Sequence, residues 1–346
     1  MNKKIFITDY IRNPEIEQKI IGSAAQVHCL NSNDEKNFPE EIKDADGLLV
    51  WHTKISDFTL KKLNKCKTII RYGVGYENID LASVKKYGIS FANNPDYGID
   101  EVADTSCALV LNLIRKINLY NNQTRLKIDE FYKNKDKNKI NDWQEEVIGL
   151  NKLTPIKRTS DHKLGIIGLG KIGTAVALRM KSFKMEIGFY DPYVARGYEK
   201  VLNIKRYETL KELASEATII SINAALNNET NKMINDQFID SLNKDTILIN
   251  TARGTIIDSL DVIVRGLKSN KLAAVGLDVL PQEPPSKKEI LLDSWRNLEN
   301  SLSDRIIINP HAGYYSSTSI IEMREKVAEN MLLSLTGKKL RNIINY

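Results

Sequence analysis

The sequence predicts an α/β protein of two domains, each built on a parallel sheet covered by helices. Three observations carry this. At 346 residues the chain exceeds one average domain. Short apolar runs alternate with helical patterns in two separate stretches. The runs of the second stretch are apolar almost throughout, as strands covered on both faces are.

In the first stretch, strand-like runs span Lys4 to Asp9, Gln26 to Leu30, Gly47 to His52, Thr68 to Gly73 and Ile89 to Asn93, giving about five strands. Helical patterns lie between them at Pro14 to Gly22, Ser56 to Leu63 and Leu81 to Tyr87. From Asp100 an amphipathic stretch runs to about Lys127, with Val102, Leu109, Leu113 and Ile117 at helical spacing, and reads as a helix linking two domains. Residues 128–160 are polar, interrupted by Trp143, Val147 to Leu150 and Pro155, and read as an insertion or arm. The second stretch brings Leu164 to Gly168, a helix to about Lys184, then Glu186 to Tyr190, Ala217 to Ile222, Thr246 to Asn250, Leu272 to Val279 and Arg305 to Asn309. A last helix, Ser319 to about Leu335, packs back on the first unit. The expected division is therefore 1–99 plus 314–346 as one domain and 100–313 as the other.

Composition excludes several classes. Hydrophobic residues at 42% and charged residues at 27% give the balance of a soluble globular protein. No apolar run approaches the roughly 18–20 residues of a membrane span, and Met1 to Tyr10 reads as a strand and not as a signal peptide, so a cytoplasmic protein with no membrane partner is expected. Cys29, Cys66 and Cys107 are odd in number and lack metal-ligand spacing, which suggests neither a disulfide framework nor a metal site. The net charge of +6 is a mild excess spread along the chain, and no nucleic-acid stripe is indicated. Lysine and asparagine from Lys127 to Lys139 make a solvated surface segment. The excess still favours an anionic substrate.

Gly168, Gly170 and Gly173 form G-x-G-x-x-G directly after one apolar strand and before the helical pattern Ile172 to Met180. In that context the first glycine permits a tight turn, the second lets backbone reach a pyrophosphate and the third lets helix and strand pack closely. The helix N-terminus, at Lys171 and Ile172, adds amide donors. Asp191 ends the next strand and is followed by Pro192; an acid there accepts hydrogen bonds from a ribose 2′-hydroxyl, so NAD is favoured over NADP. Arg196 is close enough in sequence to accept a 2′-phosphate instead.

Three more segments follow apolar strands, where open α/β sheets hold ligands. They are Asn250-Thr251-Ala252-Arg253-Gly254, Asp278 to Pro284 containing Glu283, and Asn309-Pro310-His311-Ala312-Gly313. Together with Arg71-Tyr72-Gly73-Val74-Gly75-Tyr76-Glu77-Asn78-Ile79-Asp80 and Glu101-Val102-Ala103-Asp104, the set resembles the D-isomer-specific 2-hydroxyacid dehydrogenases, over nearly the whole chain. The resemblance implies two Rossmann-like or flavodoxin-like domains with parallel sheets and a cofactor cleft between them. Residues 100–313, with the arm near 128–160, would bind NAD, and 1–99 plus 314–346 would bind substrate. It implies that Arg253 binds a carboxylate, that His311 exchanges a proton with the 2-oxo or 2-hydroxy oxygen, and that Glu283 hydrogen-bonds His311. Chemically, a histidine titrates in the range needed for that proton, and the guanidinium fork matches a carboxylate.

By the same resemblance the cofactor set extends from the glycine loop to Ala224, Thr251, Ala252, Asp278 and Gly313, with Asp278 supporting a strand end or the nicotinamide region. Amides of Val74 and Gly75 would share the carboxylate. Tyr72, Tyr76 and Tyr97 would face the substrate, making the pocket aromatic, and the substrate is a small anionic 2-oxo or 2-hydroxy acid. His28, His52 and His162 have no matching context. Relatives pair through the cofactor domain, which implies a homodimer. Two departures stand out: Asn223-Ala224-Ala225-Leu226 stands where many members carry a histidine, a proline and a leucine after the fourth strand of the cofactor domain, and the insertion around 129–150 is the second. Asn94-Pro95-Asp96-Tyr97 also resembles the C-terminal-binding proteins of this family, which leaves an NAD-sensing corepressor-like protein as an alternative. A phosphite- or phosphonate-type dehydrogenase is another, since Arg253 holds such oxyanions equally well.

Overall fold

The computed structural model describes residues 3–122, 124–125, 156–298 and 300–345, so most of the expected 128–160 arm lies outside the described residues. The chain divides into two compact units, Met1–Gly98 with Tyr315–Tyr346, and Ile99–Tyr314. Each is an α/β unit on an all-parallel sheet.

The first unit carries five strands: β1 (Lys4–Ile7), β2 (Gln26–Cys29), β3 (Gly47–Val50), β4 (Thr68–Arg71) and β5 (Ser90–Ala92), in the order β2-β1-β3-β4-β5. Every pairing is parallel. β3 and β4 are buried at all positions, because helices cover both faces. Fully enclosed Ile5, Leu48, Leu49, Ile69 and Ile70 fill the space between, each worth roughly 1.5–3 kcal/mol of apolar burial. Helices Glu15–Ile21 and Ser317–Leu335 pack on one another, the latter opened by a Ser316–Ser319 capping box.

A fully buried carboxylate links these two helices. Glu17 receives Arg324 Nε at 2.8 Å and the Tyr72 hydroxyl at 2.9 Å. Desolvating a charge is costly, so such a carboxylate persists only when its lone pairs are filled this way.

The second unit begins with the helix Ile99–Arg115, whose buried stripe is Ala103, Ser106, Cys107, Val110, Leu113 and Ile114. Lys116, at a left-handed φ of 54°, interrupts the regular hydrogen-bond ladder, and residues 117–122 are helical again, close to the expected extent; Ile117, assigned to the apolar stripe from the sequence, is exposed.

The sheet has seven strands: β6 (Lys163–Ile167), β7 (Glu186–Tyr190), β8 (Lys205–Arg206), β9 (Ile219–Ile222), β10 (Thr246–Asn250), β11 (Leu272–Leu277) and β12 (Ile306–Ile308). Their order is β12-β11-β10-β9-β6-β7-β8, a doubly wound sheet whose direction of winding reverses between β6 and β9. The edge strand β8 is absent from the sequence reading. So are the short helices Tyr198–Leu202, Leu210–Glu216, Asp236–Ser241, Leu260–Lys268 and Ile290–Arg296.

Among the described residues no helix is long and apolar enough to cross a membrane, and no cluster of His, Cys, Asp and Glu is placed to hold a metal. The Cys66 and Cys107 thiols are buried, and desolvation pushes them up to about 12 and about 11.

Candidate active site

At the carboxyl end of β6 the chain turns at Gly168 with φ +89°, and a Cβ there would lie 2.6 Å from Ala224 Cα at the end of β9. The glycine is required by that approach. A Cβ on Gly173 would meet the Gly168 carbonyl oxygen at 2.1 Å, so the third glycine lets the helix Lys171–Ser182 close on the loop. Gly170 differs: an added Cβ would meet nothing within 4 Å, and no side chain caps the helix that Gly170 opens. Nothing in the protein demands a glycine at 170. A phosphate group approaching backbone amides does, so the loop fits the pyrophosphate of a dinucleotide.

Asp191 follows β7. Its Oδ2 accepts from Leu169 N at 2.8 Å inside the glycine loop, and Oδ1 accepts from Tyr193 N at 2.9 Å, beyond exposed Pro192. Oδ1 also accepts from Val194 N at 3.3 Å, so it is Oδ2, with one amide bond, that keeps a lone pair for a ribose hydroxyl. Arg196, weighed above as a 2′-phosphate ligand, instead forms a fork with Glu208, both bonds at 3.0 Å. At the Asn223-Ala224-Ala225-Leu226 departure, Asn223 Oδ1 is buried with no hydrogen-bond partner among the described residues.

The contrast among the glycines gives a prediction. Gly170→Val should leave the fold intact, with melting within a few degrees of the parent, yet weaken NADH by roughly tenfold or more, because the branched side chain occupies the phosphate position. Thermal melting and NADH fluorescence titration check it. Unaltered NADH binding would remove the loop from the cofactor site.

Arg253 is carried on the turn after β10. The turn is closed by the buried Asn250 side chain, whose Nδ2 donates to Arg253 O at 2.9 Å and whose Oδ1 accepts from Ala252 N at 3.0 Å. Thr251 Oγ1 lies 2.6 Å from Ser106 Oγ on the helix Ile99–Arg115. Half-buried Arg253 donates from Nη1 to Ala252 O at 2.8 Å.

Asp278 follows β11 and organises the next segment. Its backbone carbonyl accepts from His311 N at 2.8 Å, and its carboxylate accepts from Gly313 N at 2.9 Å and Ala312 N at 3.1 Å. Burial lifts the Asp278 carboxyl above its ordinary value, while the Gly313 amide, His311 and the Ala312 amide oppose the lift. These bonds hold His311 at φ 55°, a conformation that costs a non-glycine residue of order 1–3 kcal/mol.

Glu283 and His311 meet, with Nδ1 to Oε2 at 2.7 Å, and the other Glu283 oxygen accepts from Leu280 N at 2.8 Å. Burial alone would raise the Glu283 carboxyl. The His311 bond, the Leu280 amide and the charges of His311 and Arg253 outweigh it and hold the group below its usual value. An ionised carboxylate only accepts, so Nδ1 carries the proton and Nε2 is left for exchange. Because Glu283 sits low, the pair's contribution to stability is present above the carboxyl's unfolded value and is lost as pH falls through the lower folded one. It therefore persists across the neutral range.

Apart from Arg253, the substrate residues read from the sequence lie in the first unit, and two are corrected. Tyr72 is fully enclosed, its hydroxyl spent on Glu17, and Tyr97 is 7% exposed, so neither ring is open to a ligand. Val74 is 41% exposed and Gly75 is also accessible; neither backbone amide has an acceptor among the described residues. Sequence reading gave Arg71 no role. Its guanidinium lies over Gly73, where an added Cβ would fall 1.9 Å from Nη1, and Nε donates to Asn78 Oδ1 at 3.2 Å. An arginine ending a strand beside a glycine-rich turn was the available signal.

A family model described as the D-isomer specific 2-hydroxyacid dehydrogenase NAD binding domain matches residues 107–313. The chain is 30% identical over 352 residues to glyoxylate reductase of Pyrococcus horikoshii, covering 100% of this chain and 96% of that one. It is 30% identical over 343 residues to D-3-phosphoglycerate dehydrogenase of Methanocaldococcus jannaschii, covering 99% of this chain but 59% of that longer one. Among solved structures, D-lactate dehydrogenase from Aquifex aeolicus, complexed with NAD and lactic acid, superposes with a TM-score of 0.79 at 26% identity over 96% of each chain. The glyoxylate reductase from Paecilomyes thermophila shares the fold with a TM-score of 0.80 at 24% identity, over 99% of this chain and 98% of that one. An NAD-binding match across 107–313, on a sheet whose winding reverses beside the glycine loop, makes this chain a member of the D-isomer specific 2-hydroxyacid dehydrogenase family of NAD-dependent oxidoreductases.

Proposed function

We propose that the chain interconverts a small anionic 2-oxo acid and its D-2-hydroxy acid, with His311 as acid and base, Glu283 orienting it and Arg253 binding the carboxylate. The observation that carries the reading is the 2.7 Å bond from His311 Nδ1 to Glu283 Oε2, with the same histidine's backbone fixed on Asp278. It resembles a proton-exchanging ring held in one tautomer by a carboxylate.

The amides of Gly170, Lys171 and Ile172, on the turn shaped by Gly168 and Gly173, hold the cofactor pyrophosphate, and Asp191 with Pro192 holds the adenosine ribose. Ala224, Thr251, Ala252, Asp278 and Gly313 complete the cofactor set. NAD, when bound, supplies the hydride chemistry at C2. As reduction builds negative charge on the 2-oxo oxygen, His311 Nε2 donates its proton there; in the oxidative direction the same nitrogen takes the proton from the 2-hydroxyl. Glu283 balances the charge on the ring while Nε2 is protonated. Arg253 grips the carboxylate through two parallel N–H bonds and so fixes the orientation of C2. The amides of Val74 and Gly75 are further carboxylate donors. The reading includes a homodimer in the cytoplasm, with residues 1–99 and 314–346 as the substrate domain.

The experiment is NADH consumption with a panel running from glyoxylate and hydroxypyruvate to longer 2-oxo acids, NADPH in parallel. Sustained turnover of at least one acid is expected, roughly tenfold or more faster with NADH, since Asp191 repels a 2′-phosphate. Silence across the panel with NADH still bound would overturn the reading in favour of a phosphonate-type substrate or an NAD-sensing role.

A further inference from the structure

The Val74 and Gly75 amides, which have no acceptor among the described residues, belong to two peptide planes that are gripped from behind. The Gly73 carbonyl accepts from Asn94 N at 3.2 Å, and the Val74 carbonyl accepts from Asn93 Nδ2 at 2.6 Å. In a trans peptide the C=O and N–H of one plane point in opposite directions. A bond on the Gly73 carbonyl therefore aims the Val74 N–H away from Asn94, and a bond on the Val74 carbonyl aims the Gly75 N–H away from Asn93.

Both anchors are themselves buried and braced. Asn93 is 7% exposed and Asn94 3%. The Asn93 backbone amide donates to Asn342 O at 3.4 Å, and Asn94 Nδ2 donates to Met323 O at 3.1 Å on the helix Ser317–Leu335. A glycine-flanked loop has many conformations open to it, and nothing about Gly73 or Gly75 alone selects the one in which two successive N–H groups face outward. The asparagines select it.

We propose that Asn93 is a positioning residue for substrate binding: through the Val74 carbonyl, its side-chain amide aims the Gly75 N–H at the substrate carboxylate, as the Asn94 backbone does for the Val74 N–H. This rests on the reading that these two amides bind the carboxylate. Asn93 touches no substrate, and acts on affinity for the acid and not on hydride transfer or on the cofactor.

The test uses the full chain loaded with NADH and oxamate, an unreactive 2-oxo acid mimic, with binding followed by NADH fluorescence and KM and kcat measured on the best acid of the panel. For Asn93→Ala the oxamate Kd and the KM should both rise about tenfold, the value of one hydrogen bond well placed on a charged ligand, while kcat and the NADH Kd stay within about twofold. Should that variant not fold, Asn93→Ser, whose hydroxyl is too short to reach the Val74 carbonyl, makes the same comparison. Parent-like oxamate affinity and KM in a folded variant would overturn the positioning role and leave the enzyme assignment standing. A parent protein that binds NADH but neither binds oxamate nor reduces any 2-oxo acid would overturn both.

Discussion

Replacing His311 with asparagine is expected to lower turnover about 10²–10⁴-fold, the usual contribution of a positioned acid or base. Asparagine is chosen because position 311 has φ 55°, and asparagine adopts left-handed backbone more readily than alanine does. The bonds from Asp278 to the backbone of residues 311–313 do not involve the imidazole, so the turn survives the change. NADH binding should stay within about twofold, since the proposed pyrophosphate and ribose contacts lie on the glycine loop and Asp191. Single-turnover NADH oxidation beside a fluorescence titration separates the two effects. A variant that keeps a tenth or more of parental turnover would remove His311 from proton transfer.

Arg253→Gln should act on the acid rather than on the proton. Losing one partner of a desolvated charge pair costs about 2–5 kcal/mol, which is roughly 30-fold or more in kcat/KM. The turn that carries the side chain is closed through backbone atoms by Asn250, so the loss reports the guanidinium and not a collapsed loop. Arg253→Lys should recover only part of it, because an ammonium supplies charge without the planar fork. Full recovery by lysine would show that Arg253 acts through its field alone. Unchanged kcat/KM in Arg253→Gln would remove it from the substrate site.

Much of the candidate site's placement was legible in the sequence because each proposed group follows an apolar strand. Gly168 follows β6, Arg253 follows β10, Asp278 and Glu283 follow β11 and His311 follows β12. Strand ends are found by hydrophobic runs, and ligand sites by strand ends. Where the signal was not apolar the reading failed. β8 is the dipeptide Lys205–Arg206, an edge strand whose half-buried arginine lies over the Phe189 ring at 4.7 Å and pairs with Glu199; charge hid it. The helix Leu210–Glu216 does announce itself through the Thr209–Glu212 capping box, a signal the apolar pattern alone passes over.

Tyr72 fails for another reason. Its place in a glycine-rich motif suggests a ligand, but side chains alternate at a strand end, and its ring turns inward to a carboxylate 55 residues earlier in the chain. That carboxylate is shared with Arg324, 307 residues away from it, a long-range pairing no local pattern encodes. Asn93 is legible only in three dimensions, since its role depends on which carbonyl its amide reaches.

The most direct measurement of the central claim is the fate of label from NADH carrying deuterium at C4 of the nicotinamide, incubated with the best 2-oxo acid larger than glyoxylate and the parent protein. The account predicts a 2-hydroxy acid of the D configuration alone, with deuterium at C2 on one diastereotopic label and none on the other. An L or racemic product, or reduction without label at C2 from either form, would contradict it.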